Sequence, residues 1–157
     1  MAKPDTLAPA GGTVAAGALG GPLPTGKTFL PGVYTATTTM NLAAGNLAIL
    51  DAVGDPNAVF IFKVGTALTD AGILANPSEI RLVNGAHARN VWFVVNGAAT
   101  LGTGTKWNGN ILAGGTIVLS GGSTVNGRLL AGAAGAGAFT MTSTPPLESP
   151  IIITVPQ

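Results

Sequence analysis

The sequence contains no cysteine and very little charge. Of its 157 residues, seven are Lys or Arg and six are Asp or Glu, so charged residues make up only 8%. An average soluble domain has about a quarter. The missing cysteines exclude a disulfide framework and thiolate chemistry, and the scattered cations argue against nucleic acid as a partner, which requires clustered positive charge. The surface must therefore consist mainly of Thr, Ser, Asn, Gly and Ala.

Residues suited to catalysis are scarce as well. His87 is the single histidine, which leaves neither a histidine metal cluster nor a Ser-His-Asp triad; we expect it in a solvated turn. Asp51 and Asp55 could form a carboxylate pair, but the surrounding "DAVGDPNA" is more typical of a turn. We therefore predict that the protein is not an enzyme and has no catalytic residue, no metal and no cofactor.

Targeting and nucleotide-binding signals are weak. No run approaches the roughly 18 apolar residues of a membrane helix, so we expect no membrane insertion. The start, "MAKPDTLAPAGG", lacks the features of a signal peptide. The stretch "GPLPTGKT" (residues 21–28) matches the phosphate-loop pattern, which functions only between a buried strand and a helix. Pro22 and Pro24 remove two amides there and Pro31 would stop a helix, so we interpret the match as chance.

The sequence is instead rich in glycine, proline and short apolar runs. Twenty-four glycines and eleven prolines leave little room for helices. Six runs are strand-like by length and β-branched content: residues 33–39, 47–50, 58–64, 80–83, 91–95 and 116–120. The chain is predicted to be all-β.

An internal repeat narrows the architecture. Asn90, Asn108 and Asn126 lie eighteen residues apart, and each opens a unit of apolar strand, turn, second strand and Thr/Ser/Gly stretch. A constant period too short to fold alone is typical of a solenoid, with asparagine and glycine at tight corners. A β-sandwich with regular hairpins is the alternative. The residues expected to point inward are Ile111, Leu119, Val125 and Leu129.

Threonine and serine recur at strand ends and corners. In a solenoid they would stack in rows about 4.8 Å apart and form a flat array of hydroxyls and methyls that adsorbs to a surface. The simpler interpretation is the preference of threonine for exposed strand faces. The residues predicted to form this surface-binding face are Thr103, Thr105, Thr116, Ser123, Thr124, Thr140 and Thr142.

Several ordered motifs resemble the ice-binding-like family of microbial antifreeze and ice-adhesion proteins. They are "LPGVYT", "GDPNAVFIFKVGTALT", "RLVNGAHARNVWFVV", "ATLGTGTKWNGNILA" and "STVNGRLLA", within residues 29–142. The resemblance implies a discontinuous right-handed β-solenoid of triangular section, which the repeat would build from coils of about 18 residues. It also implies a flat Thr/Ser/Asn face that adsorbs to ice through organised water, and a location outside the cell or at its surface.

The sequence departs from the family pattern before "PGVY". The family usually has further coils and a helix there, where this sequence has about 28 low-complexity residues, and it often has Cys where this sequence has Arg89. We predict a lead-in at residues 1–28, a β-solenoid domain at 29–146 and a strand-like apolar tail at 147–157. Exposed strand edges would need a cover, and the tail is predicted either to pair with another subunit by strand addition or to fold back on its own solenoid. The tail residues concerned are Ile151, Ile152, Ile153 and Val155.

Two functions follow from the sequence. The first is a non-enzymatic module that adsorbs to ice or another extended surface through the Thr/Ser-rich face. The alternative is a structural subunit that forms a homo-oligomer by strand addition or solenoid stacking, in an extracellular filament, coat or virion-like lattice.

Overall fold

The computed structural model describes residues 12–13, 19–132, 135, 137–142 and 151–155. These residues form eighteen strands and one short 3-10 helix, Ala88–Asn90. In chain order the strands are β1 (Gly12–Thr13), β2 (Gly21–Pro22), β3 (Lys27–Phe29), β4 (Gly32–Ala36), β5 (Met40–Leu42), β6 (Asn46–Asp51), β7 (Phe60–Val64), β8 (Leu68–Asp70), β9 (Glu79–Val83), β10 (Val91–Val95), β11 (Ala99–Leu101), β12 (Lys106–Asn108), β13 (Asn110–Ala113), β14 (Ile117–Ser120), β15 (Thr124–Asn126), β16 (Leu129–Leu130), β17 (Phe139–Thr142) and β18 (Ile152–Thr154). In the described part of the chain, no helix has the length and hydropathy needed to cross a membrane.

From β4 onward the chain visits three sheets in rotation. The six-stranded sheet has the order β1-β4-β7-β10-β13-β16, the five-stranded sheet β17-β14-β11-β8-β5, and the seven-stranded sheet β18-β15-β12-β9-β6-β2, with β3 also paired to β6. Apart from the antiparallel pair β2–β6, the pairs between these strands are parallel. Each circuit therefore lays three strands on the three before it, which is the architecture of a β-solenoid.

The strand register gives the length of each coil. In the pair β10–β13, Trp92 lies opposite Asn110, an offset of eighteen residues. In the pair β7–β10, Phe60 lies opposite Val91, an offset of 31 residues. The coils are therefore not of one length. The eighteen-residue interval describes the last coils, and earlier coils are longer because their corners hold extra turns and the 3-10 helix.

The core fills the space between the three sheets. Phe62 and Phe93 stack with ring centroids 4.8 Å apart, and Trp107 lies 4.6 Å from Phe93. Such aromatic pairs add about 0.5–1.5 kcal/mol each beyond the burial of their area. The inward orientation predicted for four residues is confirmed: Ile111, Leu119 and Val125 are buried and Leu129 packs against the core.

Glycines allow the corners of successive coils to stack closely. The Gly97 amide donates to the Thr66 carbonyl oxygen at 2.7 Å, and the Gly115 amide donates to that of Gly97 at 2.9 Å. A Cβ atom on Gly97 would lie 2.5 Å from the Thr66 oxygen, and one on Gly127 would collide with the backbone of Gly109. These corners accept only glycine because one backbone rests directly on the next.

Two of the three repeated asparagines form a ladder between coils. Asn108 and Asn126 lie opposite each other in β12 and β15, and the Asn126 amide nitrogen donates to Asn108 Oδ1 at 3.1 Å. Asn90 ends the 3-10 helix instead and donates to the Pro56 carbonyl at 3.1 Å. The repeat therefore marks equivalent strand positions in the last coils, and Asn90 lies outside that row.

All six runs predicted as strands overlap strands of the structure, namely β4, β6, β7, β9, β10 and β14. The prediction that the tail reaches another subunit is wrong for the strand itself, because β18 pairs in parallel with β15 of its own chain. The physical reason is local: without Ile152–Thr154 the edge of β15 would have no partner on that side. Ile151 packs against the core, whereas Val155 is exposed.

The segment with the phosphate-loop match forms part of the solenoid end. Both β2 and β3 pair with β6, and the Gly26 amide closes the turn between them by donating to the Pro22 carbonyl at 2.9 Å. No helix follows this turn in the structure as described, so the context of a phosphate loop is missing. Most of the predicted lead-in lies outside the described residues, and the domain boundaries at 28/29 and 146/147 stay predictions.

Candidate functional site

The outward side of the five-stranded sheet carries a continuous row of small neutral side chains. Because side chains alternate along a strand, the central residues of β5, β8, β11 and β14 point outward while their neighbours are buried. The strand register places one such residue per coil in line. The row consists of Asn41, Thr69, Thr100, Val118 and Thr140.

Two partial rows flank this central row. Ser120 lies opposite Thr142 in the pair β14–β17, and Thr116 immediately precedes β14, two residues from Val118, on the same side of the sheet. We call the three rows together the threonine face. Its members are Asn41, Thr69, Thr100, Thr116, Val118, Ser120, Thr140 and Thr142.

Three of the seven residues predicted for the surface-binding face lie here: Thr116, Thr140 and Thr142. Thr103 lies in the turn between β11 and β12 and is half-buried. Thr124 is exposed, but it opens β15 in the seven-stranded sheet, opposite Lys106. The predicted set is therefore divided between two sheets and a corner.

Thr105 and Ser123 are buried, each with 0% of its surface exposed, so both are corrected as members of a surface. The Thr105 hydroxyl donates to Asp70 Oδ1 at 2.7 Å. The Ser123 hydroxyl contacts the carbonyl oxygens of Gly102 and Ser120. Sequence stacking placed the two residues correctly above each other, but the corner turns both side chains inward.

Asp70 explains the inward orientation of Thr105. Its carboxylate is only 2% exposed and accepts three kinds of donor: the Gly72 amide at 2.7 Å, the Ser78 hydroxyl at 2.6 Å and the Thr105 hydroxyl. A buried carboxylate requires such donors because removal from water is costly. This cluster fixes the corner between the five-stranded and seven-stranded sheets.

The outward sides of the other two sheets differ in charge and bulk. The seven-stranded sheet carries Glu79 and Arg81, paired at 2.8 Å, and the hydrogen bond from Arg81 lowers the pKa of Glu79. The six-stranded sheet carries Lys63 and, in its outward rows, the large side chain of Trp92. Among the described outward positions of the strands, only those of the five-stranded sheet are free of charge.

The sequence did not single out Asn41, Thr69, Thr100 and Val118. Their signal is the alternation within "MNL", "LTD", "ATL" and "IVLS", where one outward residue stands between two buried ones. The strands are so short that this alternation was visible only once the register joined them into a row.

The candidates for chemistry occupy turns. Asp51 Oδ1 accepts from the Val53 amide and the Asn84 side chain, each at 2.8 Å. Asp55 Oδ1 accepts from the Asn57 amide at 2.9 Å. Both carboxylates thus fold the local backbone, in agreement with their interpretation as turn residues. The described residues hold no group of three or more His, Cys, Asp or Glu that could bind a metal ion.

The fold and the flat neutral row define the class: an all-β solenoid that presents a repetitive outer face. The chain matches the model of the Ice-binding-like family over residues 5–144 and belongs to this family, so the resemblance seen in the sequence is confirmed. Its relatives are ice-binding proteins, a group defined by adsorption rather than by catalysis.

Two relatives show how much of such proteins this chain covers. The ice-binding protein of Nostoc sp. (strain HG1) is 44% identical over 107 residues, 68% of this chain and 37% of that protein. Ice-binding protein 1 of Shewanella frigidimarina (strain NCIMB 400) is 38% identical over 104 residues, 66% of this chain and 11% of that protein. The chain therefore spans well under half the length of these relatives.

Solved structures give the same picture. An ice-binding protein from an Antarctic biological consortium superimposes with a TM-score of 0.74 at 28% identity, covering 98% of this chain and 60% of that chain. The ice-binding protein of Antarctomyces psychrotrophicus gives a TM-score of 0.66 at 32% identity, covering 90% and 60%. The fold of nearly the whole chain is thus represented among ice-binding proteins.

Proposed function

We propose that this chain adsorbs to ice, or to another extended surface, through the threonine face. The observation that carries the proposal is the register of the five-stranded sheet, which aligns Asn41, Thr69, Thr100, Val118 and Thr140 in one uncharged row. Membership of the Ice-binding-like family supports ice as the surface.

The physical argument rests on spacing and hydration. Parallel strands repeat at about 4.8 Å, so the row presents hydroxyls and methyls at regular intervals. A hydroxyl donates one hydrogen bond and accepts two, which suits contact with an ordered water lattice. A charged group holds its own hydration shell strongly, and this disfavours the sheet that carries Glu79, Arg81 and Lys106.

Three finer properties belong to the same proposal. The solenoid is right-handed, as parallel β-crossovers almost always are, and its three sheets form a triangular section. The protein acts outside the cell or at its surface, as the family resemblance implies. The alternative of a structural subunit in a filament, coat or lattice stays a prediction.

Thermal hysteresis of the purified chain tests the proposal. Thr100→Tyr places a ring in the middle of the threonine face and should lower the activity by roughly tenfold, since about 1.4 kcal/mol of lost contact suffices. Thr124→Tyr makes the same change on the seven-stranded sheet and should leave the activity within twofold of the unmodified chain.

The opposite ranking would assign the surface to the seven-stranded sheet. An unmodified chain that is fully folded by circular dichroism and shows neither thermal hysteresis nor inhibition of ice recrystallisation would remove ice as the partner.

A further inference from the structure

The two ends of the solenoid differ. At the amino-terminal end the inward side chains are covered: Met40, Leu42 and Leu50 have 0% of their surface exposed. Leu19 is also buried, and its amide donates to the Asn41 carbonyl at 3.0 Å. Both β2 and β3 pair with β6 there. This end of the core is closed.

At the carboxy-terminal end the corresponding side chains are uncovered. Phe139 and Met141 lie opposite the buried Ile117 and Leu119, so they face the core, yet they are 42% and 56% exposed. Ile153, at the equivalent position in the seven-stranded sheet, is 41% exposed. We call the coil of β16, β17 and β18 the open end.

Exposed apolar side chains are concentrated at this end. Of the twelve exposed large apolar residues that the structure describes, six belong to the open end or adjoin it: Leu130, Phe139, Met141, Ile152, Ile153 and Val155. The strands β16, β17 and β18 are also the last members of their three sheets. An apolar surface rimmed by strand edges is a template for pairing with another chain.

Charge and shape together select the partner. Among residues 129–132, 135, 137–142 and 151–155 there is no charged side chain, so a charged partner gains nothing here. The amino-terminal end of another copy is closed and offers no apolar side chains to cover. The open end of a second copy offers both an apolar core and unpaired strand edges. We propose that two copies of this chain pair open end to open end, as a two-fold symmetric dimer.

The geometry of β17 fixes the arrangement. A two-fold axis perpendicular to the solenoid axis reverses strand direction, so β17 pairs antiparallel with its own copy, and β16 lies against β18 of the partner. With Thr140 opposite the partner's Thr140, Phe139 lies opposite the partner's Met141. This register keeps the apolar side chains on the core side of both sheets, which a shift by one residue would not.

The dimer has a consequence that rests on the proposed function. The axis through β17 keeps the outward side of the five-stranded sheet facing the same way in both copies. The threonine face then continues from five strands to ten across the interface, with one row running through both copies. A longer row would strengthen adsorption because all its contacts form together.

Sedimentation equilibrium of the intact chain tests the dimer. We expect a monomer–dimer equilibrium at concentrations up to about 100 µM. Met141→Lys places a charge in the interface and should raise the dissociation constant by about tenfold or more, with an unchanged circular dichroism spectrum. Val33→Lys adds the same charge at an exposed site of the six-stranded sheet and should leave the dimer intact. A monomeric unmodified chain over this whole range overturns the proposal.

Cross-linking tests the register without relying on a destabilising charge. The chain has no cysteine, so Thr140→Cys introduces a single thiol. Directly opposite residues in antiparallel strands have Cα atoms about 4.5–5.5 Å apart, within the range of a disulfide. Mild oxidation should give a covalent dimer of Thr140→Cys and not of Thr100→Cys, which lies in the same row within the sheet. Equal cross-linking of the two variants contradicts the arrangement.

These results are separable from the outcome for ice binding. A dimer without thermal hysteresis refutes only the proposed function, and a monomer with thermal hysteresis refutes only the dimer.

Discussion

At the scale of single residues, the buried carboxylate of Asp70 is the most consequential group in the described core. Its hydrogen bonds with Gly72, Ser78 and Thr105 join two sheets at a corner. The sequence offers little warning of this role, because "LTD" and "GTGTK" are separated by about thirty residues and neither is a recognised motif. Only the fold brings the donors to the acceptor.

Replacing Asp70 should therefore be costly. We expect Asp70→Ala to lower the free energy of unfolding by about 2–4 kcal/mol, since it leaves buried donors without an acceptor. Urea unfolding followed by circular dichroism measures the change. Asp55→Ala is the matched control: it removes one exposed turn acceptor, and its cost should stay below about 1 kcal/mol. Similar costs for the two variants would show that Asp70 is not a structural pin.

At the scale of elements, the corners determine the architecture as much as the strands do. The strands are as short as two to six residues, so each depends on the coil below it for pairing. Gly97 and Gly115 let one corner rest on the next. This close contact keeps successive strands in register.

A single methyl group at such a corner tests this dependence. Gly97→Ala places a Cβ atom 2.5 Å from the Thr66 carbonyl oxygen, and we expect a loss of about 1–3 kcal/mol in stability from overpacking. Gly12→Ala serves as the control because no atom lies within 4 Å of its Cβ position. Thermal unfolding of both variants compares them. If Gly97→Ala melts at the temperature of the unmodified chain, the corners tolerate more space than the structure implies.

The elements also show where prediction from sequence succeeds. Strand positions and inward residues such as Ile111 and Leu119 follow from apolar alternation, which is a local property. The side chains of Thr105 and Ser123 could not be oriented in this way, because they lie in turns where alternation is interrupted. Turn length and the demand of Asp70 for donors decide their direction, and both depend on contacts across coils.

At the scale of the whole molecule, the repeat predicted the solenoid but not the lengths of its coils. The eighteen-residue period describes the last coils, whereas an offset of 31 residues separates Phe60 from Val91. Loops inserted at corners change the length of a coil without changing its three sides, so a search for one period finds only the coils without insertions. The tail likewise completes a coil, and its outer edge remains open.

The central claim is that this coil stack adsorbs to ice through an uncharged face. The most direct test is to grow ice slowly in a stirred solution that contains the chain and a non-binding reference protein, and to measure both in the ice and in the liquid. The account predicts that the chain is enriched in the ice relative to the reference protein and that Thr100→Tyr loses this enrichment. Equal exclusion of the folded, unmodified chain and the reference protein from the ice would contradict it.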